Sequence, residues 1–252
     1  MISRGILPGL ASATPLLVGL AVAGILYGAL VAMVQKDIKR LVAYSSISHL
    51  GFVMLGLLAL TPEAVTGGVY QMLGHGVSTG GLFLAVGVIY ERRHPRRIED
   101  FGGLAGIVPK FAVVFLIICL SSLGLPGMNG FVGEFLILIG AFKAEFPGAR
   151  WAAGLAATGV ILAAVYLLWM YLRVMFGPRD NPKNEGMEDL TAREWTVFAP
   201  ILALIFIMGL FPGPFLERIE PAVDRAIAQT RVVAVRPTAK AVTAGKRPRL
   251  LD

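Results

Sequence analysis

Charge is scarce in this sequence. Only 15% of its 252 residues are charged, where soluble domains carry roughly 25%, so the composition does not describe a water-facing surface. Cysteine is nearly absent as well. Cys119 stands alone in an apolar run, which excludes an internal disulfide and says nothing firm about redox compartment. The same scarcity leaves no cysteine cluster for an iron–sulfur centre. No Gly-x-Gly-x-x-Gly opens a strand–helix unit and no Walker motif is present, so nothing here points to a nicotinamide, flavin, nucleotide or metal bound by this chain. Acidic residues are outnumbered, 16 against 23 Lys and Arg, for a formal charge of +7. Those basic residues lie in loops between apolar runs and in the C-terminal tail. That is the pattern of membrane orientation, and nucleic acid is set aside as a partner.

Apolar residues make up 56% of the chain, and its mean hydropathy is +0.73. The runs predict an all-α polytopic membrane protein with six spans in one transmembrane domain, residues 15–216. The spans fall at about 15–34, 41–60, 65–90, 109–142, 151–176 and 195–215, after a short N-terminal segment, 1–14. That segment lacks the basic start and small-residue cleavage site of a secretory signal. Gly24 and Gly28 in the first span have the spacing of a close helix contact, a weak signal by itself. A polar basic tail is expected over 217–252, disordered from about 231. Twelve Lys and Arg lie in Lys36–Arg40, Arg92–Lys110 and Arg173–Arg193, against Arg4, Lys143 and Arg150 on the opposite side. Loops 35–40, 91–108 and 177–194 are therefore expected in the cytoplasm and both termini outside.

The fourth run cannot be one straight helix. From Pro109 to Phe142 it would be about 50 Å long against a hydrocarbon core of about 30 Å. Pro126-Gly127 followed by Asn129-Gly130 supplies a break, expected over Pro126–Gly130. Broken backbone at membrane depth persists only where protein or a watery cavity satisfies the freed amides and carbonyls. Four residues on stands Glu134, flanked by Phe131, Val132, Phe135 and Leu136. A carboxyl there is costly unless it serves a hydrated interior, which makes it the first functional candidate. The partial positive charge of a half-helix start favours its carboxylate, while desolvation favours the acid.

His75, between Gly74 and Gly76 in the third span, is a candidate proton relay, since imidazole passes protons through either nitrogen. A plain interhelical hydrogen bond would account for it too. His49 lies two to three turns from one end of the second span and is a candidate helper, with a structural role equally open. Lys39 is a further candidate at the entry of such a path, although positive-inside anchoring alone explains Lys39 and Arg40.

Asp37-Ile-Lys-Arg-Leu-Val-Ala-Tyr-Ser-Ser-Ile-Ser-His-Leu-Gly-Phe52, His75-Gly-Val-Ser-Thr-Gly-Gly-Leu-Phe83, Tyr90-Glu-Arg-Arg-His94 and Gly124-Leu-Pro-Gly-Met-Asn-Gly-Phe-Val-Gly-Glu-Phe135 resemble one family. So do Asn184-Glu-Gly-Met-Glu-Asp-Leu190 and Phe211-Pro-Gly-Pro214. It is the antiporter-like subunits of the proton-pumping NADH:quinone oxidoreductase, respiratory complex I, and among them the M type. The resemblance covers roughly residues 5–225. Subunits L and N of that family place a lysine on the broken helix, whereas the M type has the glutamate found here as Glu134. Thr79 also fits, since the L type usually carries a lysine there.

The resemblance implies a proton-translocating subunit of an NADH:quinone oxidoreductase, with Glu134 as terminal proton site, His75 as relay and His49 as helper. It implies no redox site in this chain; NADH, FMN, iron–sulfur clusters and quinone are expected in partner subunits. The expected partners are the other membrane subunits, above all neighbouring antiporter-like ones, and the lipid of a bacterial cell membrane. The family has fourteen helices with two inverted five-helix repeats, and the six spans here resemble its ninth to fourteenth. Either the sequence is a partial or split product, or another chain supplies the first repeat. Two alternatives stand beside this: a subunit of a multisubunit Na⁺/H⁺ antiporter or membrane-bound hydrogenase, and a non-conducting structural fragment.

Overall fold

Short polar punctuation decides where each helix stops in the computed structural model, which describes residues 8–235. Through those residues run α1 (Pro8–Met33), α2 (Ile38–Ala59), α3 (Pro62–Arg93), α4 (Pro109–Ser122), α5 (Asn129–Lys143), α6 (Ala149–Phe176), α7 (Ala192–Leu210) and α8 (Gly213–Val235). Asp37 caps α2, its side chain accepting from the Arg40 amide at 3.0 Å. Thr61 caps α3 one residue before Pro62, which fits the first turn because it has no amide hydrogen to lose. Thr191 and Glu194 form a reciprocal capping box at the start of α7. Five of the helices are long and apolar enough to cross a membrane, and α4 is a shorter apolar one. The chain is an all-α membrane fold with its fourth span in two pieces.

Several boundaries differ from the sequence expectation. The first helix begins at Pro8, inside the stretch expected as an N-terminal segment. The sixth span ends at Leu210, not 215, because Phe211-Pro212 interrupts it. From Glu217 the expected polar tail is instead the amphipathic α8, continuing to Val235. The remainder of the expected tail, 236–252, lies outside the described residues. Of the Gly24–Gly28 pair, only Gly28 meets a neighbour, the backbone of α2 at Ser48; Gly24 faces open space.

The break in the fourth span also starts earlier than Pro126. Gly124, at φ +78°, ends α4 in a Schellman motif: the Gly124 amide donates to Ser121 O and the Leu125 amide to Leu120 O. A type II-like turn follows, closed by the Met128 amide donating to Leu125 O at 3.0 Å, with Pro126 first of its central pair and Gly127 second at φ +89°. Asn129 and Gly130 are then the first residues of α5.

The loops after α1, α3 and α6 are knitted together at one end of the bundle. Ile38 N donates to Arg96 O at 2.9 Å and Ile98 N to Lys36 O at 2.8 Å. Arg93 Nε donates to Asn184 Oδ1 at 2.9 Å, and Arg92 donates to Glu194 Oε2 at 2.7 Å and to Asp189 O at 3.1 Å. Asp189 in turn caps α4 from a distant loop, accepting from Lys110 N at 2.9 Å and Phe111 N at 3.0 Å. Partial burial works against the Asp189 carboxylate. The Lys110, Leu190 and Phe111 amides and the Lys110 ammonium outweigh it and hold the carboxyl below its ordinary range.

Two apolar clusters fill the interior. One, at the end just described, joins the start of α2 and the end of α3 to α4, α6 and α7. The other joins α1, the end of α2, α5 and the start of α6. Between them, at mid-height, lie buried polar side chains: Ser48, His49, Gln71, Ser78, Thr79, Ser121, Asn129 and Glu134 among them. Positioning that layer is what the fold does for function.

A buried imidazole–carboxyl centre at the helix break

Glu134 sits on the second turn of α5 and is 3% exposed. Its Oε1 lies 2.9 Å from His49 Nδ1 on α2 and 3.2 Å from Gln71 Nε2 on α3. Two donors on one oxygen compensate part of the cost of burying a carboxyl among apolar helices. On the far side of the imidazole, His49 Nε2 is 3.5 Å from the Tyr166 hydroxyl of α6. That arrangement suits a neutral ring with its hydrogen on Nδ1 and Tyr166 donating to Nε2. It also suits an imidazolium donating from both nitrogens, so the ring can hold either protonation state without moving.

His75 is the next station outward. Its ring centroid is 5.2 Å from that of His49, and Thr79 Oγ1 lies 3.1 Å from its Nδ1 and 3.3 Å from its Nε2. Whereas His49 is buried, His75 is half-buried, so the line Glu134–His49–His75 runs from the core toward the surface of the described fold. A chain of titratable groups at such spacing can pass protons with rotation of the rings or one bridging water between stations.

A second polar knot closes the break itself. Asn129 Nδ2 donates to Gly74 O at 2.8 Å and to Ser78 Oγ at 3.0 Å. Ser121 Oγ donates to Asn129 Oδ1, and Ser78 Oγ is 2.7 Å from Ser121 Oγ. These bonds tie the end of α4 and the start of α5 to mid-α3 through side chains, holding the two halves of the span in place across the break.

Of the residues singled out from the sequence, Glu134, His49 and His75 are brought together. Lys39 is not. It is exposed on the first turn of α2, ten residues from His49 and hence about 15 Å along the helix. Gln71 was visible in the sequence only as one of several polar residues of the third span, and Tyr166 and Asn129 were not singled out for the site. For Tyr166 the available signal was a hydroxyl at mid-span, which needs a partner when buried. Among the described residues, no three of His, Cys, Asp and Glu gather as metal ligands would.

Comparison with known proteins identifies the family of the chain. Residues 6–169 match the NADH:quinone oxidoreductase/Mrp antiporter transmembrane family. The chain is 42% identical over 208 residues to NADH-quinone oxidoreductase subunit M of Rhodobacter capsulatus, covering 82% of this chain and 40% of that protein. To the subunit M of Mycobacterium tuberculosis it is 42% identical over 213 residues, 84% of this chain and 38% of that one. The chain thus spans about two fifths of the length of these relatives. Among solved structures, respiratory complex I from Thermus thermophilus with bound NADH aligns with a TM-score of 0.80 at 42% identity, covering 88% of this chain and 46% of that one. The Mrp complex from Dietzia sp. aligns with a TM-score of 0.74 at 25% identity, covering 87% and 48%.

Proposed function

Because the chain belongs to the NADH:quinone oxidoreductase/Mrp antiporter transmembrane family, we propose that it is the proton-carrying C-terminal part of a subunit M of respiratory complex I. Its identity to subunit M proteins and to the complex I structure, 42% in each case, against 25% to the Mrp complex, favours this over an antiporter subunit. The observation that carries the reading is the His49–Glu134 pair, Nδ1 to Oε1 2.9 Å, buried beside a broken helix. An ionisable pair in that position is costly unless it is used.

In this reading His75 relays a proton inward to Glu134, with His49 as the helper beside the carboxyl. The carboxyl holds it until quinone reduction in partner subunits drives its release. Lys39 serves at most as an entry group at the membrane surface. Redox cofactors reside in those partners, and the chain sits in a bacterial cell membrane among the other antiporter-like subunits. Loops 35–40, 91–108 and 177–194 face the cytoplasm and the termini lie outside. The charge asymmetry of the loops supports that orientation.

The test is Glu134→Gln in the assembled membrane complex. The substitution keeps volume and hydrogen-bonding capacity but removes titration. Assembly should survive while proton translocation and coupled quinone reduction fall together by about a hundredfold or more, the scale of losing one positioned proton-transfer group. An assembled variant that pumps at the wild-type rate would overturn the reading and leave Glu134 a structural residue of the break.

A further inference from the structure

The two oxygens of Glu134 do not have the same surroundings. Both side-chain donors to the carboxyl, His49 Nδ1 and Gln71 Nε2, meet Oε1. Oε2 lies instead over the backbone of Gly124, the residue that ends α4. A Cβ at Gly124 would stand 2.7 Å from that oxygen and would push the carboxyl aside, and at φ +78° the position favours glycine in any case. One oxygen is therefore held from α2 and α3, and the other is turned to the break.

Gln71 is an odd residue to find in this place. It is 2% exposed, and its own Oε1 has no hydrogen-bond partner. A buried amide with an unpaired carbonyl is unfavourable, and a core chosen for packing alone would replace it with an apolar side chain of the same length. The amide cannot relieve this by rotating end over end, because its carbonyl oxygen would then confront the carboxyl, acceptor against acceptor. Gln71 also approaches α5 closely enough to need Gly133 opposite it: a Cβ there would come within 2.9 Å of Gln71 Cα and Cβ. Three unfavourable features, an orphan carbonyl, a fixed amide orientation and a helix contact open only to glycine, are kept together with a single donation to Glu134.

We infer that Gln71 is a positioning residue: by holding Oε1 it leaves Oε2, beside Gly124 in the break, as the oxygen at which Glu134 takes up and gives off its proton. The inference rests on the proton-carrying role proposed above. In the ionised state Oε1 accepts from His49 and Gln71, and Oε2 is the open acceptor. A hydronium ion gives up a proton to Oε2, forming the O–H bond there and leaving a water molecule. Oε1 becomes the carbonyl oxygen and keeps both donors. Release breaks the same O–H bond and returns the proton to water, so the carboxyl cycles without exchanging its partners. His49 can pass a proton toward Glu134 through Oε1 only by giving up the Nδ1 donation, whereas Gln71, which does not titrate, holds its oxygen throughout.

The experiment is infrared difference spectroscopy with proton-translocation assays on the assembled complex, comparing wild type, Glu134→Gln and Gln71→Met. The carboxyl C=O band of Glu134 is the one lost in Glu134→Gln. Gln71→Met keeps the length of the side chain and removes both the donor and the orphan carbonyl. The C=O band should move to higher frequency, because its oxygen has lost a donor, while assembly is unchanged and proton flux falls about tenfold, the scale of one hydrogen bond to a charged group. Should Gln71→Met not assemble, Gln71→Asn serves. It retains the amide but is one methylene short of Oε1, and the same band shift is expected. A band that stays in place, or wild-type flux in an assembled Gln71 variant, overturns the inference. If Glu134→Gln itself pumps normally, the proton-carrying role fails instead, so the two failures are distinct.

Discussion

His49 and Glu134 are 85 positions apart in sequence, yet His49 Nδ1 lies 2.9 Å from Glu134 Oε1 with both side chains almost wholly buried. The pair is held by the crossing of α2 and α5 rather than by any local motif. Removing one member strands the other in an apolar interior, where breaking a buried pair costs about 3–5 kcal/mol. His49→Leu is therefore expected to lower the half-inactivation temperature of the assembled complex as well as its proton flux. His49→Leu combined with Glu134→Leu should recover most of the thermal stability and none of the flux. A double variant no more stable than His49→Leu would show that the pair contributes little to the fold.

How far the site could be read in the sequence follows from these distances. The break was legible because Pro126 and its neighbouring glycines are local signals, and Glu134 because a carboxyl stands out in an apolar run. Even there the start of the break was misplaced. Gly124 ends α4 through bonds back to Ser121 and Leu120, and a glycine among apolar residues announces a Schellman motif less loudly than proline announces a stop. That His49, rather than His75, touches Glu134 depends on helix crossing and rotation, which one sequence does not encode in a readable form. The contacts of Gln71 and Tyr166 with the pair were hidden for the same reason. So was Asp189, whose role is to cap a helix starting at Pro109.

Orientation can be checked with little chemistry, because Cys119 is fully buried and should give no background labelling. Arg96 is exposed in the loop after α3, and Ala144 is half-exposed after α5 at the other end of the bundle. Arg96→Cys should react only with reagents that reach the cytoplasm, and Ala144→Cys only with impermeant reagents added outside. The expectation rests on the loop charges. The opposite sidedness at both positions would invert the assigned topology.

Asp189 gives a pH dependence whose sign is fixed by its surroundings. Burial disfavours the carboxylate, but the Lys110, Leu190 and Phe111 amides and the Lys110 ammonium prevail, so the folded carboxyl ionises below its ordinary range. A carboxyl depressed by folding stabilises the fold wherever it is ionised in both states, above its unfolded value of about 3.9. That contribution is lost as pH falls from there through the lower folded value, because the proton then binds the unfolded chain first. Asp189→Asn keeps an acceptor for one α4 amide but removes the charge at the helix start. At pH 7 it should cost about 1 kcal/mol, the usual scale for losing such a cap. Thermal unfolding of wild type and variant in detergent, followed by helical circular dichroism, is the measurement. The gap between them should stay constant from pH 7 to about 5 and close below about 4. A gap that persists at the acid end would mean that the charge is not what Asp189 contributes, and that its side chain acts only as a neutral acceptor for the first turn of α4.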